Sequence, residues 1–481
     1  MAASFLFYDL ETSGFNPREA RIMQFAGQRT DMDLQPVSDP VNILIRLTPD
    51  TLPDPDAIMV TGITPQSTIA DGVTEAEFLK QFTEQVATPG TIFVGYNTVR
   101  FDDEFMRYLH YRNFYDAYEW QWKDERSRWD LLDVVRMTRA LRPDGIKWPF
   151  SPDGRPSNRL ELMTAVNKLD HVNAHDALSD VHATIAVAKL IQTKQPKLFQ
   201  FLLDMRDKRK VAALVGDKEP FVYCSGKYPG EFEKTTAVVY LANHPKKQGA
   251  LVYDLRHDPT EFAELTPKQL AERWMFTRDE NAPPRLPVKT LQYNRCPAVA
   301  PMGVLDEASQ KRIKIDLKNI EANHQKLASL RDFPQKLLEA LSLLDKKQQA
   351  ELIAHEQNVD GQLYDGFISD VDKNTMRAAR VANPDELGSF APGFHDERLK
   401  ALLPLYKARN YPNALTGEER AAWEQFCVQR LLGGGQQSRL AKYFGRLQAL
   451  ATSSGITQNQ QYLLEELKLY GESIMPAEAD V

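Results

Sequence analysis

SFLFYDLET (residues 4–12) is the stretch on which the fold reading turns. Its apolar, aromatic-rich first seven residues have the length and composition of a β-strand. On a strand, Asp9 and Glu11 stand two residues apart and project from the same face. Working outward, TIFVGYN (91–97) is a second run of the same kind. Between and after these strands, TEAEFLKQFTEQV, DDEFMRYLHYRNF and HDALSDVHATIAVAKLIQT repeat their apolar residues at three- and four-residue intervals, the period of a helix. Strand and helix alternate from Ser4 to about Gln192, which predicts an α/β domain ending in that last helix.

The texture then changes. After Gln195-Pro196, KLFQFLLDMRDKRKVAALV predicts one helix carrying Arg206, Lys208, Arg209 and Lys210. Between about Phe221 and Tyr293, runs such as TTAVVYLA and GALVYDL separated by Pro and Gly predict a small β module. Beyond roughly Asp306 the chain reads as helix after helix, with a loop at Gly433 to Gln437. A length of 481 residues fits two to four domains at about 150 residues each. With 42% hydrophobic and 26% charged residues there is ample material for cores, which excludes global disorder. The net charge of -7 excludes a protein that holds nucleic acid by bulk charge, so any such contact needs a segregated basic surface. Cys224, Cys296 and Cys427 lie far apart, in no disulfide or zinc pattern. The N-terminus lacks the basic start of a secretion signal, and no stretch nears the eighteen or so apolar residues of a membrane helix, so a cytoplasmic location and no membrane partner are expected. No long exposed heptad pattern is present, which points to a monomer. SIMPAEADV, at the C-terminus, is expected to be disordered.

Three further groups join Asp9 and Glu11. Asp102, in GYNTVRFDDEF, opens a helix directly after an apolar strand, at the carboxyl edge where ligands collect in α/β sheets. In HDALSD, His175 stands where the last helix begins. Asp180 lies just over one turn into it on an Ala- and Leu-rich face, where an acid is costly unless paired or metal-bound. Four oxygen-donor carboxylates suit hard cations such as Mg²⁺ or Mn²⁺ and not zinc. Two such ions about 4 Å apart stabilise the attacking and leaving oxygens of an in-line phosphoryl displacement. Water is the natural nucleophile, and a histidine is suited to accept its proton at neutral pH, the role assigned to His175. His171 and His182 are read as structural.

In order, the motifs are D-x-E (Asp9, Glu11), N-x4-D (Asn97 to Asp102) and H-x4-D (His175 to Asp180). The set resembles the DEDDh exonuclease superfamily. YNTVRFDDEF, HYRNFYDAYEWQW, SRWDLLDVVRMTRALRPDGI and NAHDALSDVHATIAVAKL are similar to the bacterial exonuclease I family, and the similarity continues in YNRCPAVAP, NVDGQLYDGFISDVD and LYKARNYP. The resemblance implies an RNase H-like DEDDh 3′→5′ exonuclease domain (1–194), an SH3-like domain with flanking helices (195–352) and a C-terminal helical domain (353–481). It implies hydrolysis of single-stranded DNA to 5′-mononucleotides in DNA repair and recombination, with two Mg²⁺ per site that Mn²⁺ can replace. Asp9, Glu11, Asp102 and Asp180 would hold the metal, and Glu11 and Arg159, by matching position, the substrate. A guanidinium at Arg159 can grip a phosphate in bidentate geometry.

From Arg107 to Arg136 the chain interleaves aromatic and cationic residues, as sequence-tolerant single-strand binding requires, and about half must be core packing. Helped by the matching positions, Arg107, Tyr118, Trp122 and Arg136 are taken as facing the strand, with Lys208 at its rim. The resemblance also implies docking of the acidic tail of single-stranded DNA-binding protein, for which Arg142 is the candidate contact. Two alternatives stay open: an exoribonuclease of the same superfamily, since the metal site is blind to the sugar, and a catalytically silent single-strand-binding protein.

Overall fold

The structure is a computed structural model. It describes residues 3–171, 176–275, 279, 281–353 and 358–475, those from 348 to 353 as backbone. Strand β1 (Ser4–Thr12) is central in a five-stranded sheet with β2 (Ile22–Thr30), β3 (Val41–Leu44), β4 (Thr91–Gly95) and β5 (Ser127–Asp130), in the order β3-β2-β1-β4-β5. β2 runs antiparallel to β1 and β3, while β1, β4 and β5 are mutually parallel.

The alternation along β1 decides where the carboxylates point. Phe5 and Phe7 enter the core shared with Trp129, Val181, Ile185 and Ala188. Leu6, Tyr8 and Leu10 enter the opposite core with Phe25, Phe78, Phe93 and Trp120. Asp9 and Glu11 continue the odd-numbered series, so they face the helix Ala177–Lys194, which packs on β1 and carries Asp180. Each buried aromatic is worth roughly 1.5–3 kcal/mol, and a one-residue slip of β1 would turn the apolar residues and both acids to the wrong faces. The register is therefore set by packing, and the site inherits it.

β4 lies beside β1 and parallel to it, so the chain leaving β4 arrives next to Asp9 and Glu11. Gly95 is the last residue of this strand, and a Cβ there would come within 2.9 Å of the Tyr8 carbonyl oxygen and closer still to Thr98, so the close approach requires glycine. Asp130 then accepts hydrogen bonds from the backbone N–H groups of Asn97 (3.0 Å) and Val99 (3.2 Å), pinning the turn that leads into the helix Asp102–Arg112.

The predicted single helix after Pro196 is two, Pro196–Asp204 and Lys208–Gly216. Asp207 adopts extended backbone and its carboxylate accepts from the Arg209 N–H at 2.9 Å, a local hydrogen bond that starts a second helix and competes with continuing the first. Five antiparallel strands follow in the order β10-β6-β7-β8-β9: β6 (Phe221–Cys224), β7 (Thr235–Asn243), β8 (Gly249–Asp254), β9 (Val288–Gln292) and β10 (Ala298–Pro301). This is the expected β module. Helices follow, with Gly435–Gln437 forming a short turn between two of them, as the loop reading expects.

The C-terminal helices pack on the first domain through Tyr108, Tyr111 and Phe114, which meet Leu399, Leu402 and Tyr406. Beside that apolar contact lies a buried charge network. Arg21, Asp50, Glu75 and Arg112 come from the first domain, and Asp360, Arg409 and Arg430 from the C-terminal one. Glu104 joins all three domains, accepting from Arg107 (2.6 Å), Arg295 (2.9 Å) and the Tyr364 hydroxyl. Among the described residues, no helix is long and apolar enough to cross a membrane.

Candidate active site

Asp9, Glu11 and Asp180 each offer a carboxylate oxygen within 4.8 Å of the other two. β1 supplies the first pair by its two-residue period, and the helix Ala177–Lys194 supplies the third. Asp176 begins that helix, its carboxylate accepting from the Ser179 N–H at 3.0 Å, so Asp180 is fixed at the end of the first turn. Asp102 is buried nearby, one residue into its own helix. It does not cap that helix, since Phe101 holds the cap position and no side chain caps there.

The electrostatics distinguish these acids from their neighbours. Burial, then the charges of Asp102, Asp180 and Asp176, hold the Asp9 carboxyl well above the usual range. Burial with Asp9, Asp180 and Asp176 pushes Glu11 up to about 9. Asp102 is likewise raised, chiefly by burial and also by Asp103 and Glu11. The charges acting most strongly on Asp9 and Glu11 are all carboxylates. Asp103, adjacent in sequence, is a different case: it accepts from the Tyr8 hydroxyl at 2.6 Å and pairs with Arg128 and Arg107. Carboxylates desolvated side by side, as Asp9 and Glu11 are, are stabilised by taking up protons or a metal ion. Oxygen donors on a rigid strand and helix fit a hard divalent cation, so the residues present fit the metal that the sequence implies. Asp9, Glu11 and Asp180 could hold it, and Asp102 lies near enough for its charge to act on Asp9.

His175 lies outside the described residues. Arg159 stands exposed at the start of the helix Leu160–Asn167 and pairs with Glu161. Of the residues assigned to the strand path, Tyr118 and Trp122 are 40% and 62% exposed, open rings of the kind on which bases stack. Lys208 is exposed and donates to Gln248 Oε1 at 3.2 Å. Arg136 donates to Asp133 at 2.7 Å and packs on Gly226. Arg107 is buried, with its guanidinium on Glu104 (2.6 Å) and Gln121 (3.2 Å) and over the Tyr118 ring. In this arrangement it braces Tyr118 and Glu104. Arg142 is partly exposed, pairs with Asp306 at 3.2 Å and donates to the Val304 carbonyl at 2.9 Å.

Two features escaped the sequence reading. One is a basic cavity of about 690 Å³ lined by Arg100, Lys227, Lys247, Arg285, Lys289 and Arg295. These cations are scattered over almost two hundred positions and no local pattern marks them. The other is His171, read as structural, which contacts Asp180 directly. His182 is exposed.

Fold and site together define a class, an exonuclease domain with an acidic metal site. The family described as Exonuclease matches residues 6–188, the exonuclease I SH3-like domain residues 206–342, and the exonuclease I C-terminal domain residues 357–474. Exodeoxyribonuclease I of Escherichia coli K12 is 38% identical over 483 residues, covering 98% of each chain. The solved structure of E. coli exonuclease I with a dA16 oligonucleotide superposes with a TM-score of 0.92 at 38% identity, covering 98% of this chain and 100% of that one. An ExoI/SSB-Ct complex superposes at 0.90 with 36% identity, covering 99% and 100%. The chain belongs to the exodeoxyribonuclease I family, and the RNase H-like, SH3-like and helical parts expected from the sequence are those of that family.

Proposed function

We propose that this chain removes 5′-mononucleotides from the 3′ end of single-stranded DNA, using Mg²⁺ held by Asp9, Glu11, Asp102 and Asp180. The observation that carries the reading is the convergence of Asp9, Glu11 and Asp180 within 4.8 Å, with the Asp9 and Glu11 carboxyls raised by burial and by neighbouring carboxylates. Two bound divalent ions, with Mn²⁺ able to replace Mg²⁺, would supply charge stabilisation for an in-line displacement at phosphorus. The chain's own residues do the rest. Strand β1 and the helix Ala177–Lys194 fix the carboxylates, which orient the scissile phosphate through what they bind. His175 accepts the proton of the attacking water, and Arg159 holds a phosphate oxygen.

The exposed rings of Tyr118 and Trp122 stack bases, Arg107, Arg136 and Lys208 line or brace the path, and the basic cavity around Lys289 tracks phosphates further along. This is the segregated basic surface that a net charge of -7 demands. The DNA-bound and SSB-Ct-bound relatives support single-stranded DNA and the acidic tail of single-stranded DNA-binding protein as partners, with Arg142 on the docking face. We place the domain boundaries near residues 194 and 352, and the protein in the cytoplasm as a monomer acting in DNA repair and recombination.

The test uses matched 5′-labelled single-stranded DNA and RNA with Mg²⁺ or EDTA, beside Asp180→Ala. Stepwise 3′ shortening of DNA that EDTA and the variant abolish is expected. Preferential shortening of RNA would move the chain to the ribonuclease reading, and tight binding without cleavage would leave a binding protein.

A further inference from the structure

Asp180 is held from outside the carboxylate cluster. His171 Nε2 stands 2.6 Å from Asp180 Oδ1, and the ring's Nδ1 stands 3.1 Å from the Thr164 hydroxyl. The imidazole is 5% exposed and Thr164 is buried. The local chain is shaped to put it there. The helix Leu160–Asn167 ends at Lys168 in the left-handed conformation (φ 55°), and the Leu169 N–H returns to the Thr164 carbonyl at 3.0 Å. This reversal lays His171 across Thr164, one turn back, and against the helix that carries Asp180. With Asp180 ionised, Nε2–H is the donor, and the Thr164 contact fixes the plane of the ring.

We propose that His171 is a positioning residue for the metal site: it fixes one oxygen of Asp180 so that the carboxylate presents itself to the ion shared with Asp9 and Glu11. The inference rests on the metal-site reading above. It follows the general rule that a group bonded to a metal ligand from the outside sets that ligand's orientation and basicity, and that removing it weakens metal affinity or activity by about 10–100-fold. The converging ligand group is Asp9, Glu11 and Asp180, and His171 meets it through Asp180, so its effect passes through that carboxylate.

The experiment is a titration of the full-length protein with Mn²⁺, without DNA, followed by the loss of the free-ion electron paramagnetic resonance signal. The wild type is compared with His171→Ala, His171→Gln and Asp180→Ala, each checked by urea unfolding. His171→Ala should weaken Mn²⁺ binding about 10–100-fold. His171→Gln, whose amide can still donate to Asp180, should restore most of it. Wild-type affinity in a folded His171→Ala protein would overturn the proposal. So would a His171→Gln protein that folds yet binds no better than His171→Ala, since a donor to Asp180 would then be irrelevant. Should His171→Ala fail to fold, His171→Leu, which fills the space without a donor, takes its place, and equal Mn²⁺ affinity of His171→Leu and His171→Gln would overturn the proposal. If the wild type and Asp180→Ala take up Mn²⁺ equally, the metal-site reading itself fails, which is a separate result.

Discussion

Replacing Asp360 by Asn should loosen the C-terminal domain from the nuclease domain. Asp360 is fully buried and receives Arg21 Nη2, Arg409 Nη1 and Arg409 Nη2, each at 2.8 Å, with Arg430 at 3.6 Å. The network as it stands sets four arginines (Arg21, Arg112, Arg409, Arg430) against three acids (Asp50, Glu75, Asp360). The amide keeps the shape but leaves the four cations facing two acids in a dry interface. Removing one partner of a buried pair costs about 3–5 kcal/mol, because the remaining charge is stranded. Asp360→Asn should therefore cost about 3–5 kcal/mol of the free energy that holds the C-terminal helices in place. Urea unfolding followed by the fluorescence of Trp423, after conversion of the other tryptophans to Phe where folding allows, reports on that domain. In a double-mutant cycle with Arg409→Gln, the two losses should be strongly non-additive, because the partners are in direct contact. A loss below about 1 kcal/mol, or additive losses, would refute the claim that this network carries the interface.

The same network sets an acid limit. Burial alone would raise Asp50, but Arg409, Arg430 and Arg21 overturn that and hold it at about 2, against an ordinary 3.8. A depressed folded value means that the stabilisation is complete above about pH 4 and is lost as the pH falls towards 2, so the domain contact should release in that window and not near neutrality. Circular dichroism and small-angle scattering across it would detect the release, and separation already at pH 5 would contradict the assignment. In the basic cavity, burial, together with Arg285, Lys227 and Arg256, pulls Lys289 down to about 7 despite the opposing charge of Asp254. Its ammonium is then lost as the pH rises through neutrality. Affinity for single-stranded DNA in EDTA, by fluorescence anisotropy, should fall between about pH 6 and pH 8, with the salt slope shrinking by about 0.7. Lys289→Arg should flatten both trends, and identical pH profiles for the two proteins would exclude Lys289 from the strand path.

How much of this was legible beforehand varies by residue. Asp9 and Glu11 could be placed on one face of a strand from their spacing, and Asp180 on a helix face from the apolar period around it, because strand and helix periodicities are local properties of the chain. The β module and the helical C-terminal part showed through turn residues and period changes for the same reason. The break at Asp207 did not, since a cap with two or three residues of competing backbone is smaller than the window over which helical period is read. Arg107 could be picked as a cation among aromatics, but its burial depends on Glu104 and Gln121, and no spacing rule announces that partner set.

The class of chemistry is written in the chain: acids at two-residue and helical spacing, in an order that places them on adjacent elements. Which acids meet and which are neutralised depends on the folded chain. Asp102 and Asp103 are neighbours in the chain, yet one joins the carboxylate cluster while the other is satisfied by Tyr8 and Arg128. The fold also decides that His171 bears on Asp180, that six cations from Arg100 to Arg295 share one cavity, and that Arg21 and Asp360 meet across 339 positions. The physical reason is range. Backbone period is written in a few consecutive residues, whereas desolvation and charge pairing depend on groups that only the folded chain brings within a few ångströms.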